Sequence, residues 1–282
     1  MSDVVTFVHL TDLHMGEPGV PDDHLYADTT SNLRAILADV KRMDPPPAFI
    51  VASGDLTNRG DVPSYRHLQS VLAEANLDMP ILFALGNHDK REGFYEAVLG
   101  RTEDNTTPYD HDAVIDGVHV IVMDSSVPGK VGGGFEAGQL DWLADRLEDH
   151  AEMPKLLVMH HAPALDEENT EMEWESLTIA DTLALRDLLD DYDVVGILSG
   201  HIHFDRVSNW YGIPLVVGIG QHAGTDVLAM PRELRMVSAA SFAVGTLRPS
   251  GLTISFVPQP ATRQELHVID MEQMRKFLAA AE

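Results

Sequence analysis

A chain of 282 residues that is 44% hydrophobic and has no cysteine can bury a large core, and it excludes disulfides and thiolate metal sites. Its 45 Asp and Glu against 19 Lys and Arg give a formal net charge of -26, which repels nucleic-acid polymers and anionic membrane surfaces. That charge is read plainly as a solubilising surface; read functionally, any anionic substrate needs a local positive source, and bound cations supply one.

In chain order, Val4–Leu10 is a β-rich run ending at the polar cluster Thr11–His14 and reads as a buried strand followed by a functional loop. Apolar Leu33, Ile36, Leu37 and Val40 have helical spacing within Asp28–Met43, and the prolines of DPPPA end that helix. Phe49–Ala52 reads as a second strand closing at SGDLTNRGD, Ser64–Ala75 as a helix, and Pro80–Leu85 as a third strand closing at GNHD. Ala113–Asp116 and Val118–Asp124 form a hairpin signal around Asp116-Gly117. Gly132–Gly134 is a flexible loop lacking the spacing of a nucleotide-binding loop, and Ala137–Leu147 is a helix with Leu140, Leu143, Ala144 and Leu147 on one face. Lys155–Met159 is a strand closing at HHAP, Ile179–Leu189 a helix, and Val194–Leu198 a strand closing at SGHIH. Pro214–Ile219, Ser241–Leu247 and Leu252–Val257 read as strands, the last two joined by Pro-Ser-Gly, and Met271–Ala281 as a helix. The acidic segment Leu165–Leu177 has no clear period; it is either a cap near the site or a surface connector. The first residues lack a basic, apolar leader pattern, and no apolar run approaches the roughly 18 residues that span a bilayer, so a soluble cytoplasmic protein is expected.

One pattern recurs. A short apolar run is followed at once by Asp, Asn, Gly and His, at TDLH, GDLTN, GNHD, MHH and GHIH. Ligands of open α/β sheets bind outside the carboxyl ends of strands, so such loops can converge from distant parts of the chain. Imidazole nitrogen with carboxylate or amide oxygen suits iron, manganese, zinc or cobalt. The i, i+2 spacing of Asp12 and His14, and of His201 and His203, puts each pair on one side of an extended segment, with Gly200 relieving crowding before the second. Singly, each motif has a structural reading: D-x-H and G-D are ordinary turn chemistry, and paired histidines can be a satisfied structural pair. Strand alternation sends His160 and His161 to opposite sides. Asn58 suits a contact to a substrate phosphate or a turn, His222 after a later strand suits the pocket or the surface, and His9 reads as a core histidine.

The ordered set D-x-H, GD, GNHD, a histidine after an apolar strand and GHxH resembles the calcineurin-like metallophosphoesterase superfamily over roughly residues 6 to 203. HLTDLH, GDLTNRG, GNHD, MHHAP and SGHIH resemble its class III cyclic nucleotide phosphodiesterase and glycerophosphodiesterase branch, which often has proline where Ala162 stands; SFAVGTLRPSGLTISFVP resembles that branch's terminal hairpin. The resemblance implies a four-layer α/β/β/α sandwich in which two mixed sheets are flanked by helices. It implies two divalent cations (manganese, iron, zinc or cobalt). Asp12, His14 and His203 would hold the first, Asn87, His160 and His201 the second, and Asp55 would bridge them. A bridging hydroxide would be the nucleophile. His88 would act beside the phosphoryl group with Asp89 orienting or charge-stabilising it, His161 would be a neighbour or rim residue, and Asn58, His161 and His222 are candidate substrate contacts. A single domain over 1–282 is implied, with a cap or dimerisation extension in 204–282, a homodimer or higher homo-oligomer, and a small phosphodiester as substrate. Phosphomonoesterase activity, for which Arg59 is the nearest candidate grip, and a non-catalytic metal-binding scaffold are the competing readings.

Overall fold

The computed structural model describes residues 4–230 and 234–259. In chain order the elements are β1 (Val5–Leu10), α1 (Thr29–Lys41), β2 (Phe49–Ser53), α2 (Val62–Ala75), β3 (Ile81–Ala84), α3 (Arg91–Ala97), β4 (His111–Ile115), β5 (Val118–Val122), α4 (Gln139–Glu148), β6 (Lys155–Val158), a 3₁₀ turn (Thr170–Glu175), α5 (Ile179–Leu189), β7 (Val194–Ser199), β8 (Arg206–Trp210), β9 (Ile213–Val217), β10 (Gly224–Thr225), β11 (Met236–Val237), β12 (Ala240–Arg248) and β13 (Gly251–Gln259). One mixed sheet has the order β13-β12-β1-β2-β3, the other β4-β5-β6-β7-β9-β8, and β10 pairs with β11. Within them β1-β2-β3 and β5-β6-β7-β9 are parallel, while β12, β13, β4 and β8 pair antiparallel.

Three apolar clusters make these sheets the middle of four layers. Alternation along β1 sends Val8 and Leu10 outward to meet Leu33, Ile36, Leu37 and Val40 of α1 and Leu68 and Val71 of α2. It sends Phe7 inward, stacked on Phe49 at 5.2 Å, into a cluster with Val120, Val122, Leu156, Val158 and Leu198 of the opposite sheet. The far face of that sheet carries Ile121, Leu157 and Ile197 against Leu143 and Leu147 of α4 and Leu185 and Leu189 of α5. The architecture is therefore the expected α/β/β/α sandwich of two mixed sheets flanked by helices. Residues 204–259 complete both sheets, through β8 and β9 in one and β12 and β13 in the other.

Local chemistry sets the element ends. The Asp28 carboxylate accepts the Ser31 N–H at the start of α1, Asp61 accepts that of Ser64 in α2, and the Thr178 hydroxyl accepts that of Asp181 in α5. The cap at Asp61 starts α2 two residues before the expected Ser64. Helix α3 and edge strand β8 have no counterpart in the sequence reading: α3 is only seven residues long, and β8 leaves Val207 exposed, so neither displays a clear apolar face. The segment Leu165–Leu177 contains the 3₁₀ turn, and the helix expected over Met271–Ala281 lies outside the described residues.

Candidate metal centre

Strands β1, β2, β3, β6 and β7 end at one pole, where the two sheets meet. Asp12 and His14 follow β1, Asp55 follows β2, Asn87 follows β3, His160 follows β6, and His201 and His203 follow β7. The expected extended geometry for the Asp12/His14 and His201/His203 pairs is corrected here. Asp12, His14, Asp55, His201 and His203 all take left-handed backbone, at φ 47, 43, 48, 76 and 52°. Such conformations are costly for residues with a Cβ and are held only where the surroundings over-determine them. Here hydrogen bonds from Asp12 N–H to the Gly54 carbonyl (3.0 Å) and from His14 N–H to that of Asp55 (2.9 Å) fix the turns.

The result is a buried knot of donors. Asp55 Oδ2 lies 3.7 Å from His14 Nε2 and 3.3 Å from His160 Nε2, while Asp12 Oδ1 lies 3.3 Å from His203 Nε2. The other ring nitrogen settles each tautomer. Nδ1–H of His14 donates to Asn58 Oδ1 (3.0 Å), that of His160 to the Ser53 carbonyl (2.9 Å) and that of His203 to the Ala223 carbonyl (3.0 Å), which leaves each Nε2 lone pair turned inward. His201 is held the other way, Nε2–H donating to the Trp174 carbonyl at 2.7 Å, so its free atom is Nδ1.

These donors fit a cation. The Nε2 atoms of His14 and His203 face each other at 3.4 Å, and two lone pairs at that distance repel unless positive charge lies near both. Asn87 Oδ1 and His160 Nε2 are buried with no hydrogen-bond partner, an arrangement that costs about 1–3 kcal/mol per group unless a ligand satisfies it. Asp12, Asp55 and His160 offer atoms within 4.8 Å of one another, as do His14, His203 and His222. Burial draws His14 down to about 3, with Asp55 pulling back, so the imidazole is neutral and able to ligate at neutral pH. Burial also depresses His160, but the adjoining Asp55 carboxylate overcomes it and lifts the group to about 9, so Nε2 turns inward as a lone pair only when a cation stands in place of the proton it would otherwise hold toward Asp55. Nitrogen and oxygen donors without sulfur suit a borderline or hard divalent ion.

The model of the calcineurin-like phosphoesterase family matches residues 5–205, which contain every donor described above except His222. The chain belongs to that family. Curated relatives include a probable cyclic nucleotide phosphodiesterase of Rhodococcus erythropolis, 34% identical over 213 residues that cover 74% of this chain and 68% of the relative. A cAMP/cGMP dual specificity phosphodiesterase of Mycobacterium tuberculosis is 32% identical over 74% of this chain, and the match spans 65% of its length, slightly under two-thirds. A purple acid phosphatase of yellow lupin superposes with a TM-score of 0.68 over 96% of this chain and 53% of its own, at 15% identity, a likeness of fold.

Around the phosphoesterase donor set, several surrounding residues sit differently from the sequence reading. Both ends of the Asn58 side-chain amide are already engaged: Nδ2 donates to Asp22 Oδ2 at 2.8 Å, which aims Oδ1 at His14. Asp89 does not orient His88. Its carboxylate accepts the N–H groups of Leu56, Thr57 and Gly86 and the Tyr65 hydroxyl, lashing the loops after β2 and β3 together, and burial with the nearby Asp55 charge raises it to about 6. The orienting group for His88 is the Asn58 carbonyl, 3.0 Å from Nδ1, while its own N–H holds Asp55 Oδ1 at 2.8 Å. His88 is exposed, its ring edge-on to His14 at 4.7 Å. His161 is fully buried rather than at the rim. Although it lies near His160 and His201, its ring nitrogens are taken by Ser125 Oγ and the Val131 carbonyl, each at 3.0 Å, and it has no open face for a substrate. His222 lines the site, its ring 4.6 Å from that of His14 and stacked on Tyr26. His9 is a core residue held by Ser53 Oγ at 2.8 Å. Sequence reasoning missed Asp22, Tyr65 and the Trp174 carbonyl: Asp22 lies in a loop without a period, Tyr65 lies on the apolar face of α2 where only its hydroxyl reaches Asp89, and the third is backbone.

Proposed function

We propose that this chain hydrolyses a small phosphodiester, either a 3′,5′-cyclic nucleotide or a glycerophosphodiester, at two divalent cations. The observation that carries the reading is the Asp55 carboxylate standing between His14 and His160, with Oδ2 within 3.7 Å of both nitrogens. In this reading Asp12, His14 and His203 hold one cation, Asn87, His160 and His201 the other, and Asp55 is shared. When bound, the pair supplies Lewis acidity toward the phosphoryl oxygens and a water acidic enough to attack at neutral pH.

The chain's own residues do the rest. Asn58 keeps His14 in the Nδ1–H form through its side chain and fixes the His88 ring through its carbonyl. With Nδ1–H so engaged, Nε2 of His88 is the free ring atom, and only in the imidazolium form does it carry the proton that would bond a phosphoryl oxygen or pass to the departing alkoxide. His222, its ring 4.6 Å from that of His14 and stacked on Tyr26, is the residue assigned here to contact the alcohol portion. The relatives' names as cyclic nucleotide phosphodiesterases support a diester. A monoester reading needs a free cation near the site to grip the terminal phosphate, and Arg59 is tied instead to Asp22 at 2.7 Å. No helix among the described residues is long and apolar enough to cross a membrane.

The test is a substrate panel. Protein loaded in turn with manganese, iron, cobalt or zinc is expected to cleave bis(p-nitrophenyl) phosphate and at least one of 3′,5′-cAMP, 3′,5′-cGMP and glycerophosphocholine faster than p-nitrophenyl phosphate. Faster cleavage of the monoester, or none of any substrate with all four metals, overturns the reading.

A further inference from the structure

The three glycines at 132–134 have no part in the site assignment, yet their surroundings are crowded. A Cβ on Gly132 would collide with the carbonyl oxygen of Glu173, one on Gly133 with the ring of His161, and one on Gly134 would stand 2.9 Å from Asp181 Oδ2. The segment is a bare ribbon pressed between the Thr170–Glu175 turn on one side and His161, the chain neighbour of His160, on the other. It is also stitched to both. Gly133 N–H donates to the Ser176 carbonyl at 2.9 Å and its own carbonyl accepts Thr178 N–H at 3.1 Å; Leu177 N–H reaches the Ala162 carbonyl at 2.9 Å, and the Val131 carbonyl accepts His161 Nε2–H. The turn is tied at its far end to α5, where Glu173 Oε1 accepts the Ile179 N–H at 2.8 Å. What this assembly brings to the centre is one atom, the Trp174 carbonyl oxygen 2.7 Å from His201 Nε2. His14, His160 and His203 are all held through Nδ1; His201 alone among these four is held through Nε2.

We infer that the 170–175 turn is a positioning element for one of the two cation sites: the Trp174 carbonyl commits His201 to offering Nδ1, and Gly132 and Gly133 are side-chain-free so that the turn can reach it. The inference rests on the two-cation assignment above, in which His201 serves the second ion with Asn87 and His160. A carbonyl that fixes a ligating imidazole contributes typically 10–100-fold in metal affinity. Because the turn's hydrogen bond to the centre goes to His201, and none among the described residues goes to Asp12, His14 or His203, its effect is expected on one ion of the pair.

The experiment titrates manganese into the full chain and into Gly132→Ala, Gly133→Ala and Glu173→Ala. Calorimetry reads each affinity, electron paramagnetic resonance reads the coupled manganese pair, and ¹⁵N NMR of the imidazoles reads the His201 tautomer before metal is added. Circular dichroism confirms that each variant is folded. Expected is a first ion bound within about threefold of the wild type, a second weakened about tenfold or more, a diminished coupled signal, and a His201 that no longer holds the Nε2–H form alone. Glu173→Ala unties the turn without entering the packed ribbon, so it decides the matter should either alanine at a glycine prevent folding. Two ions bound as in the wild type by folded Glu173→Ala overturns the inference, and so does an equal weakening of both ions. Failure of the underlying assignment has its own signature, a wild-type chain that binds fewer than two ions.

Discussion

Asn58 illustrates how much a single amide can arrange. Asp22 fixes which way it faces, its Oδ1 selects the His14 tautomer, and its carbonyl holds His88. Asn58→Ala removes the first two functions and keeps the third, so it is expected to weaken the ion at Asp12, His14 and His203 by about 10–100-fold while leaving the other within a few-fold, measured by titration calorimetry. On the two-cation reading proposed above, Asp55→Ala takes away the carboxylate both ions would share and is expected to abolish paired occupancy, read as metal content after gel filtration. His88→Ala is expected to lower kcat by about 10²–10⁴-fold, the range of a lost general acid, with both ions retained; loss of metal in that variant would show His88 to be part of the cage. That Asp12, His14, Asp55, Asn87, His160, His201 and His203 lie in loops closing apolar runs was legible in the sequence; the choice of these seven as a ligand set came only from the family resemblance. Asp22 was not, since its loop has no period and the pairing spans 36 residues. The role expected of Asp89 failed for a physical reason: neighbours in sequence at a tight turn point apart, and backbone N–H groups competed successfully for its oxygens.

At the scale of elements, α3 carries the clearest liability. Its first residue, Arg91, is 4% exposed, and its guanidinium is shared among Asp124, Glu136 and the carbonyls of Thr106 and Ser126. Asp124 is fully buried, so Arg91→Ala would leave an uncompensated carboxylate and is expected to destabilise the fold by about 3–5 kcal/mol, measured by urea unfolding. Beside it, burial raises Asp110 to about 6, against the N–H groups of Asp124 and Gln139 that favour its charge. A raised acid favours the native state while protonated. Its contribution is therefore full below roughly pH 4 and lost as pH rises through about 6. Unfolding free energy of the wild type is expected to fall relative to that of Asp110→Asn over this interval; parallel pH profiles would show that Asp110 does not titrate there. Neither the Arg91 network nor the 3₁₀ turn could be read beforehand. Their partners come from segments far apart in the chain, whereas the long helices and strands announce themselves by local spacing.

For the whole molecule, the donors divide by sheet. Asp12, His14, Asp55 and Asn87 come from the loops of one sheet and His160, His201 and His203 from the other, so any ion held among them joins two halves otherwise pressed together by the Phe7, Val120 and Leu156 cluster. Occupancy by an ion that binds only the native state raises stability by about 2.7 kcal/mol at a hundredfold excess over Kd. Chelation is thus expected to lower Tm by several degrees, and manganese to restore it, in a scan at fixed protein concentration; an unchanged Tm would show that the sheets do not depend on the ions for cohesion. The left-handed turns that present these donors have a corollary for supply. A polypeptide emerging without metal must hold five awkward backbone positions on hydrogen bonds alone, so starvation for divalent cations would reduce how much of the enzyme accumulates as well as how fast each copy works.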